Sequence, residues 1–132
     1  PIFRRRDDGD WAERWKEHFA PLQLGQRLWI VPSWIDNFRA PTDALVVRMD
    51  PGMAFGTGQH ATTALTWELI ERDVLLLDET ARGHASLLDV GCGTGILAMG
   101  AAALGVGCVA AIDNDPIAVD VTRDNAHKNA MQ

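Results

Sequence analysis

The sequence predicts an α/β fold with a parallel sheet, and three stretches carry that prediction. Ser86-Leu87-Leu88-Asp89-Val90 is an apolar run of strand length that stops at Gly91-Cys92-Gly93-Thr94-Gly95. Ile96 to Leu104 follows, rich in Ala, Leu and Met, which lose little side-chain entropy in a helix. A second apolar run, Cys108 to Ile112, ends on Asp113. Two apolar strands joined through a helix imply a right-handed parallel crossover.

Each residue type in this unit has a physical task. Glycines leave the backbone bare, so a ligand can approach the strand-to-helix turn closely. Free N–H groups opening the next helix favour electron-rich ligand atoms. An acid ending the following strand can accept the hydroxyl protons of a ribose, and Asp113 stands about 20 residues beyond Gly91, as that role requires. The glycine spacing separates the nucleotide ligands. A dinucleotide loop has the pattern G-x-G-x-x-G, whereas Ile96 occupies the position of the last glycine here. A phosphate-cradling loop needs a lysine after its glycines, and none follows. The run Asp89-Val90-Gly91-Cys92-Gly93-Thr94-Gly95 instead resembles motif I of the class I S-adenosylmethionine-dependent methyltransferases.

Taken in order, Asp10-Trp11-Ala12-Glu13 has the pattern of a capping box. It opens a helix whose Trp11, Trp15 and Phe19 share one face and which Pro21 ends. Residues 1–25 read as a linker with this first helix, and Arg4-Arg5-Arg6 as a solvated stretch. Arg27 to Val31 and Ala44 to Met49 are strand-like. They are joined by a loop from Pro32 to Asp43 and are expected to pair antiparallel and cover the sheet. Asp50 to Thr63 holds three glycines, a Phe and a His, far more than a plain connection of about 4–6 residues needs, and it reads as a functional loop. A helix is expected from Ala64 with Thr62 or Thr63 at its N-cap and an apolar face of Leu65, Leu69, Ile70, Val74 and Leu77.

Asp78 to Ala85 reads as a polar linker, with His84 exposed. Gly105-Val106-Gly107 closes the Ile96 helix through a left-handed cap. After Asp113, Asp115 is a natural N-cap and Pro116 a natural first helical residue. The helix they open is expected to turn Ile117, Ala118 and Val121 to the sheet, and Asp120, Arg123, Asp124 and Lys128 to solvent. Residues 26–132 then form the N-terminal half of a doubly wound domain. The chain reads as the front half of a longer protein, because its strands are too few for a complete sheet.

A net charge of -6 argues against direct nucleic-acid binding and is compatible with a basic protein substrate. No apolar stretch approaches the ~20 residues of a membrane span. Cys92 and Cys108 fit neither a disulfide framework nor a metal site, so no metal is expected and a reducing cytoplasm suits the chain. Cys92 reads as a small side chain that fits the loop rather than a nucleophile.

From about Asp10 to Asn129 the chain resembles the PrmA-type methyltransferases of ribosomal protein L11. The resemblance is carried by the Phe55-Gly56-Thr57-Gly58-Gln59-His60-Ala61-Thr62-Thr63 loop together with LLDVGCGTGILAMGAAALG, AAIDNDPIAV and DNAHKNA. It implies a Rossmann-like class I methyltransferase fold, incomplete here: the first βαβα of the parallel sheet, preceded by a helix and an antiparallel strand pair. It also implies methyl transfer from S-adenosylmethionine to lysine and N-terminal amines of ribosomal protein L11. Thr63, Gly91 and Asp113 then fall at the cofactor, with Asp113 on the ribose. Asp89 opens the motif, Gly93 and Gly95 complete the loop, and Phe55 and Thr57 lie near it. No residue is assigned as a catalytic base, and His60 reads as a loop-stabilising residue. The family's substrate-recognition domain and its later asparagine-containing motif are not in this sequence, so this portion alone is expected to be inactive. Other class I methyltransferases, acting on another protein lysine or a small molecule, and a nicotinamide-binding module are the alternatives.

Overall fold

In the computed structural model, which describes residues 19–49 and 60–131, nine elements follow in order. They are β1 (Leu22–Leu24), β2 (Leu28–Val31), β3 (Leu45–Arg48), α1 (His60–Leu75), α2 (Glu79–His84), β4 (Ser86–Val90), α3 (Ile96–Ala103), β5 (Cys108–Ile112) and α4 (Pro116–Lys128). The mixed α/β class is the expected one. The capping-box helix expected from Asp10 lies outside the described residues.

The central prediction holds element by element. β4 and β5 pair parallel, Ser86 opposite Cys108 and Val90 opposite Ile112, with α3 as the crossover. Gly105 closes α3 at φ +99, the left-handed conformation a C-terminal glycine supplies. Asp115 caps α4 by accepting from the Ile117 N–H at 2.9 Å, and Pro116 opens the helix.

The first sheet, ordered β1-β2-β3, departs from expectation. The two strands read from the sequence, β2 and β3, are parallel, with Leu28 opposite Leu45 and Val31 opposite Arg48. The connection from Pro32 to Ala44 makes this possible, since a parallel return needs about a dozen residues while an antiparallel one needs only a tight turn. The antiparallel pair is formed instead by β2 and β1, Leu22 facing Ile30. At three residues β1 is too short to show a period of its own.

Helix α1 also differs. It begins at His60, so Thr62 and Thr63 lie in its first turns and not at its cap. Its buried face is turned toward Trp67, Glu71 and Val74, while Leu65 and Leu69 are 62% and 53% exposed. Trp67 is the largest fully buried side chain, and burying its ring outweighs burying two leucines at the opposite edge of the face. The expected linker before β4 contains helix α2, capped by Asp78, whose side chain accepts from the Ala81 N–H at 2.8 Å. Arg82 on α2 donates from Nε to the carbonyls of Val74 and Leu77 at 3.1 and 2.9 Å. It thereby ties α2 to the backbone at and just beyond the end of α1, adding a second donor to the Val74 carbonyl, which also accepts the Leu77 N–H at 3.1 Å. His84 is exposed, as expected.

A single core joins the two sheets. Leu28, Val47 and Met49 from the first sheet meet Trp67 of α1 and Met99 and Ala101 of α3. Glu71, 4% exposed, accepts the N–H groups of Gln26 and Arg27 at 2.8 Å each, fastening α1 to the β1–β2 turn. The turn must come very close for this. Gly25 there has φ +57, and a Cβ would stand 2.9 Å from Trp67 Nε1 and closer still to Glu71. On β4 and β5 the side chains alternate: Leu87, Asp89 and Val109 face α3, while Leu88, Val90 and Ile112 are exposed.

The α1–α3 contact gives a first prediction. A Cβ at Gly100 would run into Trp67 Cζ3 and lie 2.8 Å from Trp67 Cη2 and 3.1 Å from Leu28 Cδ2. Gly→Ala within a helix ordinarily stabilises by about 1 kcal/mol, but overpacking a rigid core costs about 1–3 kcal/mol. Gly100→Ala is therefore expected to destabilise the full-length protein by about 1 kcal/mol, read as a lower urea midpoint with unchanged slope.

Candidate cofactor site

The end of β4 supplies the turn on which the site is built. The N–H groups of Gly91 and Cys92 donate to the Ile112 carbonyl at 2.8 and 3.1 Å, and the Gly95 N–H closes the turn on the Cys92 carbonyl at 2.8 Å. Gly91, Gly93 and Gly95 all have positive φ, at +73, +57 and +85. A Cβ at Gly91 or Gly93 would meet no atom within 4 Å. The backbone there is bare and open to a ligand.

Beside the turn lies a cavity of about 630 Å³, lined by Thr62, Thr63, Asp89, Gly91, Gly93 and Asp113, with apolar walls that include Leu87 and Ile96. Its volume suits a nucleoside carrying an amino-acid tail. The structure thus brings Thr63, Asp89, Gly91, Gly93 and Asp113 to one place, although Thr63 and Asp113 are distant in sequence. Gly95 is not among the lining residues and packs against α4 instead. Phe55 and Thr57 lie outside the described residues.

The two carboxylates have opposite characters. Asp113 Oδ2 accepts the Gly93 N–H at 3.0 Å and Oδ1 accepts the Asp115 N–H at 2.9 Å. The Asp115 and Gly93 amides hold its carboxyl below the usual carboxylate range, so it is ionised at neutral pH. Each oxygen keeps lone-pair capacity for a further donor. Asp89 is 8% exposed and its Oδ2 is buried without a partner. Burial raises its pKa; the Ala98 backbone N–H partly offsets this, and the neighbouring Asp113 charge adds a smaller upward push. An unpartnered buried carboxylate oxygen in a cavity wall is where a donor or cation from a ligand would be stabilised.

Sequence reasoning missed two groups that shape the turn from behind, both on α4. Thr122 donates from Oγ1 to the Gly93 carbonyl at 2.9 Å, and Asn125 donates from Nδ2 to the Thr94 carbonyl at 3.0 Å. Ile117, expected to face the sheet, is 71% exposed, while Asn125 is 4% exposed. The inward face of α4 is polar because it meets the backbone of the turn, whose carbonyls need donors. The signal was a polar row at Thr122, Asn125 and Asn129, spaced as one helix face. Asp120, Arg123, Asp124 and Lys128 are exposed, as expected.

A bare glycine turn after a parallel strand, an acid closing the next strand and a cavity between them make one half of a Rossmann-like α/β sheet. Comparison with known proteins specifies which kind. Residues 2–132 match the family described as Ribosomal protein L11 methyltransferase (PrmA), and the chain belongs to that family. Proteins named ribosomal protein L11 methyltransferase from Herpetosiphon aurantiacus and Tolumonas auensis are 51% and 48% identical to it over 120 and 125 residues. The matches take in 91% and 95% of this chain but 35% and 40% of those proteins. A crystal structure of ribosomal protein L11 methylase from Lactobacillus delbrueckii subsp. bulgaricus superposes with a TM-score of 0.70 at 33% identity. It covers 86% of this chain and 53% of that one.

The raised pKa of Asp89 has a consequence for stability. A carboxyl with a raised folded-state pKa binds its proton more tightly when folded. Its contribution is therefore complete below the unfolded-state value and is lost as pH rises through the folded-state value. Asp89→Asn removes this loss. In the full-length protein it is expected to raise stability at neutral pH and to flatten the dependence of the urea midpoint on pH above 3.8, the ordinary carboxylate value, while weakening cofactor binding.

Proposed function

We propose that the full-length protein is an S-adenosylmethionine-dependent N-methyltransferase acting on lysine side chains and the N-terminal amine of ribosomal protein L11. One observation carries this reading: a single cavity is lined by Thr63, Asp89, Gly91, Gly93 and Asp113, in a chain of the L11 methyltransferase family. S-Adenosylmethionine, when bound, supplies a methyl group on a positively charged sulfur. Asp113, ionised and anchored by two backbone amides, holds the ribose hydroxyls. Asp89 offers its unpartnered oxygen to the cationic amino-acid end, and a positive ligand favours the charged form of that carboxyl. Thr62 and Thr63, in the first turns of α1, line the same cavity. Phe55 and Thr57 belong to the proposed set through the resemblance to the family alone.

Among the described residues lining the cavity, the ionisable side chains are Asp89, Asp113 and Cys92. Two are committed to the ligand and Cys92 is buried behind the turn. The residues present bind, orient and exclude water, and positioning of this kind supplies much of the rate of a displacement at a methyl carbon. The amine arrives neutral and loses its proton to solvent after transfer. A substrate that is a ribosomal protein and two free cysteines fit a cytoplasmic enzyme. The reading includes no direct contact with nucleic acid or membrane. No helix among the described residues is long and apolar enough to cross a bilayer.

Calorimetric titration of the full-length protein tests the ligand class. S-Adenosylhomocysteine is expected to bind and NAD not to. Asp113→Ala should weaken that binding about tenfold or more, the scale of hydrogen bonds to a charged group. Selective binding of NAD would contradict the reading.

A further inference from the structure

The glycine turn is held from behind by a row of polar side chains on α4. Thr122, Asn125 and Asn129 lie on one face of that helix. Thr122 Oγ1 donates to the Gly93 carbonyl at 2.9 Å and sits 3.3 Å from Cys92 Sγ. Its proton is committed to the carbonyl, so the thiol is the donor in the second contact. Asn125 Nδ2 donates to the Thr94 carbonyl at 3.0 Å. Asn129 holds β3 at both its polar atoms. Its Nδ2 donates to the Arg48 carbonyl and its Oδ1 accepts the Arg48 N–H, each at 2.7 Å. Gly95 completes the fit: at φ +85, a Cβ there would meet Thr122 Cγ2 at 2.7 Å.

These bonds fix which way the turn's peptides face. Among the described residues the peptide bonds are all trans, so carbonyl and N–H within one peptide point in opposite directions. With the Gly93 carbonyl drawn toward α4, the Thr94 N–H of the same peptide points away from α4. On the other side of Gly93, Asp113 takes the N–H at 3.0 Å. A glycine with positive φ could turn its peptides over at little steric cost. Turned over, the Gly93 carbonyl oxygen would face the cavity and meet the electron-rich atoms of a nucleoside.

We propose that Thr122 and Asn125 are positioning residues for the cofactor: by holding the Gly93 and Thr94 carbonyls against α4, Thr122 keeps the Thr94 N–H available to the ligand, and Asn125 keeps the next peptide turned so that the Gly95 N–H closes the turn on the Cys92 carbonyl. This rests on the reading of the cavity as the S-adenosylmethionine site. Neither side chain touches the ligand, and both act through the backbone of the turn.

The test is titration of the full-length protein and its variants with S-adenosylhomocysteine. Thr122→Val keeps the shape and removes the donor. It is expected to weaken binding about tenfold, the scale of one lost hydrogen bond that leaves a carbonyl unpaired. Thr122→Ser, which keeps the hydroxyl, is expected to bind within about twofold of the parent. Asn125→Ala should weaken binding by a similar factor to Thr122→Val. In turnover assays the loss should fall on KM for the cofactor, with kcat at saturating cofactor and KM for the amine substrate unchanged. In amide exchange of the unliganded protein, Thr122→Val should alter protection at Gly93 and Thr94 while leaving β2 and β3 unaffected. Should Thr122→Val fail to fold, comparing Thr122→Ala with Thr122→Ser isolates the hydroxyl. A parent that binds S-adenosylhomocysteine, with Thr122→Val and Asn125→Ala binding equally well, overturns the positioning role and leaves the site assignment standing. A parent that does not bind overturns both.

Discussion

The structure depends on the two-sided grip on Gly93. Its N–H is taken by Asp113 and its carbonyl by Thr122, so a residue with almost no conformational preference of its own is left with one arrangement. The same Asp113 carboxylate receives the Asp115 N–H, which starts α4, and α4 returns Thr122 and Asn125 to the turn. Strand end, turn and helix therefore determine one another. Glycine leaves the turn bare, and the order that glycine does not supply is provided by side chains from two neighbouring elements.

The same arrangement extends to the first sheet. Asn129, at the end of α4, pairs with both backbone groups of Arg48 as another strand would. Glu71 plays the matching part for α1, receiving two amides of the β1–β2 turn. Since α1 carries Thr62 and Thr63 at its opposite end, the register fixed at Glu71 is carried along a rigid helix to the cavity. Around these polar fastenings the core is tightly filled, with Trp67 against Gly100. Two buried polar side-chain atoms are unpartnered among the described residues, Trp67 Nε1 in the core and Asp89 Oδ2, and of the two residues Asp89 lines the cavity. A wall group that is unfavourable in the free protein and favourable beside a cation is what a binding site for a charged ligand requires, at some loss of stability.

The elements legible in the sequence were those fixed by short-range chemistry. The β4–turn–α3–β5 unit, Asp113 at its end, the left-handed Gly105 and the Asp115–Pro116 helix start each depend on a few adjacent residues. What the sequence did not reveal depended on partners far along the chain. The pairing direction of β2 and β3 is decided by where the Pro32–Ala44 connection returns. β1 exists only because β2 lies beside it. The face of α1 is not legible from apolar spacing alone, because Leu65 and Leu69 count as much in a pattern as the Trp67 ring that is buried in the core. Thr122 and Asn125 were passed over because a polar residue on a helix ordinarily faces water. Nothing local reveals that backbone carbonyls of a glycine turn lie opposite.

A crystal structure of the full-length protein with S-adenosylhomocysteine bound would decide the matter. The ribose hydroxyls are expected on Asp113, the amino-acid end within reach of Asp89 Oδ2, and the Gly93 and Thr94 carbonyls still held by Thr122 and Asn125. A ligand bound away from this cavity, or a turn whose carbonyls had swung toward the ligand, would contradict that expectation.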